Sequence, residues 1–90
     1  MNKNELIAEV ASRSGLAKNS AAQAVDSVFD TISDALQKGH EVRLVGFGTF
    51  LTAHRKATEG RNPRTGEPIQ IPEARVPKFR AGKGLKDQVS

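Results

Sequence analysis

The feature that most constrains this fold is a turn sequence, GRNPRTG, which occupies Gly60 to Gly66 inside a long polar segment. Asn62 suits the first position of a type I turn and Pro63 the second, while Gly66 can take a following residue's positive φ. The flanking segments are rich in strand-forming residues. We therefore predict a β-hairpin with its tip at residues 62–65.

The two legs of this hairpin are too long to lie within a small domain. Each leg runs for about ten residues before strongly apolar content appears, and at about 3.3 Å per residue that length is roughly 33 Å. The apolar content begins at Phe50 on one side and Phe79 on the other. An isolated two-stranded ribbon is marginally stable in water. We predict that residues 53–75 project as an arm that is mobile in the free protein.

The N-terminal part of the chain has helical periodicity. Apolar residues recur at spacings of three and four over about Lys3–Ser14 and about Lys18–Lys38, and a glycine follows each segment as a stop signal. Ser20, which is followed three residues later by a glutamine, resembles the start of a capping box, and Asn19 is the alternative cap. Two such helices, joined closely, predict a helical hairpin.

After residue 40 the pattern changes to alternation with β-branched residues and glycines, which predicts strands at about 41–45, 48–58 and 67–80. The last ten residues, AGKGLKDQVS, predict a short terminal helix. The fold class is therefore α+β, with a three-stranded antiparallel sheet extended into the arm. Ninety residues form one domain. Its predicted parts are the helices at 1–40, the sheet and terminal helix at 41–52 and 76–90, and the arm at 53–75.

Core-forming residues are scarce in this chain. It has four Phe, no Trp, no Tyr and no Cys, so disulfides cannot stabilise it, and short chains are marginal alone. Oligomerisation is the simplest remaining source of stability. The sequence indicates no metal site and no cofactor. The N-terminus does not resemble a signal peptide, and no apolar run approaches the roughly 18 residues that span a bilayer, so a cytoplasmic protein is expected.

The charge distribution indicates a polyanionic partner. Residues 1–52 carry five basic and six acidic side chains, whereas residues 53–90 carry nine basic and four acidic ones. Many spaced guanidinium and ammonium groups match phosphates. The arm has no aromatic residue for stacking on single strands, which favours duplex DNA and its minor groove. The basic residues of the arm and its base are Arg55, Lys56, Arg61, Arg64, Arg75, Lys78, Arg80, Lys83 and Lys86.

The sequence does not predict an enzyme. The two histidines, His40 and His54, fall at a helix-to-strand junction and on the exposed arm, and neither has partners at the spacing of a catalytic triad or a metal site. The glycines of VGFGTF lack the third glycine and following helix of a dinucleotide-binding turn. A tight turn and close packing are the expected roles of these glycines.

Three blocks of this sequence, VGFGTF (45–50), GRNPRTG (60–66) and VPKFRAGKGLKD (76–87), resemble the signatures of the HU/IHF family of bacterial histone-like proteins. The resemblance implies an intertwined dimer, either a homodimer or a heterodimer with a paralogue, in which the helical part dimerises and two arms embrace duplex DNA. It implies that Pro63 intercalates, with Arg61, Asn62 and Arg64 as its groove and phosphate neighbours. It also implies phosphate contacts by Arg80, Lys83 and Lys86 and a dimer core built from Phe29, Phe47, Phe50 and Phe79. Lys3 is a candidate contact with flanking DNA, and a solvated surface charge is the alternative reading of that residue.

Within that family, FRAGKGLKD is nearer to HU than to the sequence-preferring IHF subunits. The resemblance therefore implies a protein that bends DNA with little sequence specificity and condenses the bacterial nucleoid. Departures along the outgoing leg, at Ala53, Thr58 and Glu59, leave the contacts there open. An IHF-type subunit is one alternative, and a scaffold or RNA-binding module that uses the basic arm is another.

Overall fold

A computed structural model describes all 90 residues, and its helices and antiparallel strands confirm the α+β class. No helix combines the length and the apolar character needed to cross a membrane. The chain divides into two compact units, Met1–Asp34 and Ala35–Ser90. The elements in chain order are α1 (Lys3–Ser14), α2 (Lys18–Gln37), β1 (Val42–Leu44), β2 (Gly48–Arg55), β3 (Thr58–Arg61), β4 (Pro68–Ile71), β5 (Ala74–Ala81) and α3 (Lys83–Val89).

The first unit is a pair of helices with a small core. The side chain of Asn2 caps α1 by accepting a hydrogen bond of 2.8 Å from the amide of Glu5. The buried side chains of this unit are Ile7 from α1 and Ala21 and Val25 from α2. Three buried side chains are a small core for a chain of this length, as the scarcity of apolar residues predicted.

The predicted cap of α2 is wrong, because both Asn19 and Ser20 lie inside the helix. The amide of Ala21 already donates to the carbonyl of Ala17 over 2.9 Å, so α2 is formed one turn earlier than a cap at Ser20 would allow. Ala21 is fully buried in the core.

The second unit is built on a three-stranded antiparallel sheet in the order β1-β2-β5. Phe50 of β2 lies opposite both Val42 of β1 and Phe79 of β5, and the two phenyl rings are 4.8 Å apart between centroids. Phe47 lies 5.5 Å from Phe79 in the same way. Because side chains alternate between the faces of a strand, these pairs define one apolar face of the sheet.

Close packing, rather than turn geometry alone, explains a glycine at position 48. A methyl group added there would lie 2.5 Å from Cζ of Phe79 and 2.7 Å from the carbonyl oxygen of Arg80. Such distances are shorter than any real contact, so the Phe79 ring packs directly on the Gly48 backbone. The close-packing role expected for the VGFGTF glycines is therefore confirmed at this position.

The hairpin is interrupted, whereas the sequence predicted one continuous ribbon. Pairing stops after Arg55 and Ala74 and resumes at Thr58 and Ile71, so that β3 and β4 form a separate two-stranded sheet. The predicted strands at 48–58 and 67–80 are each divided into two. The four intervening residues, two on each leg, leave the pairing offset unchanged.

Proline spacing supplies the physical reason for the interruption. A proline fits an antiparallel ladder only where its missing N–H would point away from the partner strand, which is every second residue. Pro77 is paired with Thr52 inside the β2–β5 ladder and so has that phase, whereas Pro72, five residues away, and Pro68, nine residues away, have the opposite phase. One regular ladder cannot accommodate all three prolines, and it breaks at residues 72–73.

Candidate nucleic-acid interface

The basic side chains of the sheet lie on the face opposite its phenylalanines. Arg80 pairs in register with Thr49, Lys78 with Leu51, and Arg55 with Ala74, and these positions alternate with the Phe50 and Phe79 positions. All three cationic side chains are exposed. The sheet therefore has one apolar face and one basic face.

Arg43 of β1 also belongs to the basic face, although it is not among the residues predicted to bind DNA. It pairs with Thr49, the same residue that lies opposite Arg80, and its side chain is 76% exposed. Its guanidinium lies 3.8 Å from the carboxylate of Glu41. The period-two pattern of Val42 to Leu44 was the available signal, but only the strand register shows which face Arg43 occupies.

The interruption of the hairpin is bridged by an arginine. Nη2 of Arg55 donates to the carbonyl oxygen of Pro72 over 3.4 Å, across the gap between the two legs. Lys56, which lies within the gap, is exposed. Farther out, the side-chain amide of Gln70 donates to the carboxylate of Glu59 over 3.4 Å, so the acidic side chain on the outgoing leg has a neutral partner within the arm.

The tip of the arm is a closed turn with an exposed proline. The amide of Asn62 donates to the carbonyl of Glu67 over 2.9 Å, and the amide of Gly66 donates back to the carbonyl of Asn62 over 2.7 Å. Gly66 has a φ of 73°, as predicted for the residue that closes the turn. The Asn62 side chain accepts from the amide of Arg64 over 2.9 Å. Pro63 is thus held at the outermost point with its ring exposed.

Two arginines flank that proline. Nη1 of Arg61 lies 3.5 Å from the carbonyl oxygen of Gly66, a long contact that leaves most of the guanidinium free. The Arg64 side chain is exposed and has no ion-pair partner within the chain. Both positive charges are therefore available to an external anion.

Two further predicted contacts, Lys83 and Lys86, lie on α3 with exposed side chains. This helix is joined to the sheet at its start, where the amide of Gly82 donates to the carbonyl of Phe47 over 2.8 Å. The fold therefore fixes where α3 leaves the end of β5, the strand that carries Lys78 and Arg80.

Lys3 and Arg75, both predicted DNA contacts, belong neither to the basic face nor to the outer arm nor to α3. Lys3 lies in the first unit, where its Nζ is 2.5 Å from Oδ1 of Asp26, and the hydrogen bond and charge of that carboxylate raise the pKa of Lys3. Arg75 lies on the same face of β5 as Phe79 and donates to the carbonyl oxygen of Gln37 over 2.8 Å.

The four predicted dimer-core phenylalanines are divided between the units. Phe47, Phe50 and Phe79 cluster on the apolar face of the sheet, yet Phe47 is 46% exposed and Phe79 is 43% exposed. Phe29 of α2 is 45% exposed. It borders an apolar groove in the first unit, which is lined by Leu6, Val10, Ala24, Val25, Val28 and Phe29.

The structure contains no group of three or more His, Cys, Asp and Glu side chains placed to hold a metal ion. The ion pairs include a single histidine, His54, whose Nε2 lies 3.2 Å from Oε2 of Glu73.

Comparison with known proteins gives matches over the whole chain. The sequence model of the family described as Bacterial DNA-binding protein matches residues 1–90. DNA-binding protein HRm of Rhizobium meliloti is 57% identical over 90 residues, which cover all of both chains, and DNA-binding protein HU of Geobacillus stearothermophilus is 56% identical over 89 residues, which cover 99% of each. Among solved structures, an Anabaena HU–DNA cocrystal structure superposes with a TM-score of 0.96 at 44% identity, covering 100% of this chain and 98% of that one.

Proposed function

This chain belongs to the bacterial DNA-binding protein family that includes HU, and we propose that it is an architectural protein that binds and bends duplex DNA. The relatives named above are DNA-binding proteins by name, and one HU was crystallised with DNA. The candidate interface consists of cationic side chains and an exposed proline, which suits a protein that binds and shapes DNA better than one that catalyses a reaction.

The observation that carries this proposal is the separation of charge on the three-stranded sheet. Arg43, Arg55, Lys78 and Arg80 share one exposed face, while the other face carries Phe50 and Phe79, with Arg75 and His54 only at the end next to the arm. Cations at regular strand spacing match the phosphates of a duplex, and binding there releases condensed counterions. Lys56, Lys83 and Lys86 extend the proposed surface at its edges. Lys3, which lies in α1, and Arg75, which lies on the face of Phe79, are left out of it.

The arm is proposed to act in the minor groove. A closed turn presents the exposed Pro63 ring between Arg61 and Arg64, with Asn62 holding the turn from within. An apolar wedge of this kind can enter between base steps and kink the duplex, and minor-groove binders of the HU and IHF type are among the proteins that bend DNA in this way. The proposed mechanism is therefore that of the family rather than one peculiar to this chain. Sequence preference would then follow deformability, with nicked, bent or A·T-rich DNA favoured.

We propose that the DNA-binding form is a homodimer. Phe29, Phe47 and Phe79 are each more than 40% exposed, and only three hydrophobic side chains, all in the first unit, are buried. A second copy would cover the exposed rings at about 25 cal/mol per Å² of apolar area removed from water. A heterodimer with a paralogue would use the same surfaces. In the cell such a protein would organise the nucleoid within the bacterial cytoplasm.

The salt dependence of binding tests the proposed DNA surface. For a duplex of fixed length, log K against log salt should be steep, and Lys78→Gln should reduce the slope by about 1.8 because each protomer of the proposed homodimer loses one phosphate contact. Lys38→Gln is the matched control, since it removes the same charge from a residue that follows α2 and lies outside the sheet. A flat salt dependence, or equal effects of the two substitutions, would rule the surface out.

Competition by duplex DNA, structured RNA and an acidic protein distinguishes the alternatives. We expect nicked duplex to compete best and scrambled duplex sequences to compete equally among themselves. Preference for one duplex sequence would indicate an IHF-type subunit. Preference for RNA or for the acidic protein would indicate the RNA-binding or scaffold alternative.

A further inference from the structure

The C-terminus of α2 contains a carbonyl that its own backbone does not satisfy. The amide of His40 donates to Ala35 over 2.9 Å and the amide of Gly39 donates to Leu36 over 3.0 Å, which is the hydrogen-bond pattern of a Schellman motif. That motif leaves the next carbonyl, Gln37, without a backbone donor. The last turn of α2 also contains no basic residue to complement the negative end of the helix dipole.

Arg75 supplies the missing donor and adds a second positive charge to that of Lys38, the residue after the helix end. Its Nη2 donates to the carbonyl oxygen of Gln37 over 2.8 Å. Its Nη1 lies over the turn, 3.3 Å from where a Cβ at Gly39 would be, so the glycine makes room for the guanidinium as well as adopting its φ of 78°. No carboxylate pairs with Arg75.

Because of its position in β5, Arg75 makes this contact at the place where the arm leaves the three-stranded sheet. It is the second residue of the strand, immediately after the interruption at residues 72–73, where the three-stranded sheet ends and the β3–β4 ribbon begins. Lys78 lies three residues along the same strand on the opposite face. Arg75 is therefore bound to the end of α2, whereas Lys78 of the same strand faces solvent on the other side of the sheet.

We propose that Arg75 is a positioning residue: it caps α2 and anchors the base of the arm, and it does not contact phosphate. The anchor fixes the direction in which the returning leg enters the sheet. This proposal rests on the proposed DNA-binding function, because the arm matters only when it grips a duplex. Loss of the Arg75 anchor is expected to alter the geometry of the DNA complex, while the number of phosphate contacts stays the same.

Positioning of the arm can be separated from phosphate contact with three variants, Arg75→Met, Arg75→Lys and Lys78→Met. Fluorescence energy transfer between the two labelled ends of a duplex reports the bending. Arg75→Met should lower the Tm of the free protein by a few degrees, keep the log K against log salt slope, and reduce energy transfer at saturating protein. Arg75→Lys, which retains a charged donor, should recover most of the energy transfer. Lys78→Met should instead reduce the slope by about 1.8, one phosphate contact for each protomer of the proposed homodimer, with little change in Tm.

A slope that falls in Arg75→Met as it does in Lys78→Met would overturn the positioning role, and so would unchanged energy transfer. If Lys78→Met leaves the slope unchanged, the proposed DNA surface fails instead. An NMR measurement on the unaltered protein tests the proposal without requiring that any variant folds. On addition of duplex, the guanidinium NMR signal of Arg75 should shift much less than that of Arg80, and equal shifts would contradict the proposal.

Discussion

At the scale of single residues, Pro63 differs from the other three prolines in what surrounds it. Pro68 and Pro77 lie in paired strands, and Pro72 lies in the interruption between them. Pro63 lies beyond the last paired residues, in a turn closed by two backbone hydrogen bonds. Its rigid ring is therefore directed outward by a backbone that does not depend on the proline for closure.

Replacing Pro63 by alanine should weaken bending more than binding. The turn keeps its hydrogen bonds and the flanking arginines stay in place, so phosphate contacts remain, while the wedge that unstacks a base step is lost. Energy transfer between labelled DNA ends should fall, with an affinity loss of less than about tenfold, equivalent to roughly 1.4 kcal/mol. Pro68→Ala on the same arm is the control and should leave the bend unchanged. Equal bending by Pro63→Ala and the unaltered protein would exclude intercalation.

Gly48→Ala should destabilise the second unit without touching the basic face. The added methyl group would overlap the Phe79 ring and the Arg80 carbonyl oxygen, and the latter is backbone that cannot move aside freely. Overpacking of this kind costs about 1–3 kcal/mol. Urea unfolding at one fixed protein concentration measures the loss, with Thr49→Ala as the neighbouring control. A change below about 0.5 kcal/mol, typical of surface substitutions, would show that the packing is looser than the distances imply.

At the scale of elements, the sequence predicted those features that depend only on residues close together in the chain. The amphipathic spacing of α1, the stop at Gly15 and the positive φ of Gly66 depend on neighbours in the chain, and all agree with the structure. The predicted cap of α2 was wrong, because that helix already begins at Lys18 and the amide of Ala21 donates to Ala17. The sides of the sheet taken by Arg43 and Arg75 could not be predicted, since they depend on register between strands and on the position of Gln37.

The divided hairpin predicts two levels of protection from hydrogen exchange. The β3–β4 ribbon has no third strand, and two-stranded sheets are marginal in water, whereas β2 is paired on both sides. Amides of the ribbon, such as that of Ile69, should therefore exchange much faster than that of Phe50. Saturating duplex DNA should slow exchange in the ribbon, because ordering on a ligand restricts its opening. Equal protection of the two sheets in the free protein would contradict a mobile arm.

At the scale of the whole molecule, the small core and the exposed phenylalanines have a common explanation in the proposed dimer. Ile7, Ala21 and Val25 alone bury too little surface to offset the conformational entropy lost by 90 residues. The sequence predicted this deficit from its composition. The surface that would repair it could not be located from composition, because exposure of Phe29 or Phe79 depends on how the helices and strands pack.

Phe29→Ala distinguishes a folded monomer from the proposed dimer. In a monomer the side chain is 45% exposed, and its truncation should cost little. In a dimer that buries it, the loss should approach the roughly 3–5 kcal/mol of a core phenylalanine. Thermal unfolding over a hundredfold range of protein concentration distinguishes the two cases, because only an associating protein has a Tm that rises with protein concentration. Val89→Ala, near the exposed end of α3, is the control and should keep both the Tm and its concentration dependence. A concentration-independent Tm, together with a small effect of Phe29→Ala, would require the chain to fold alone and would remove the basis for a paired set of arms.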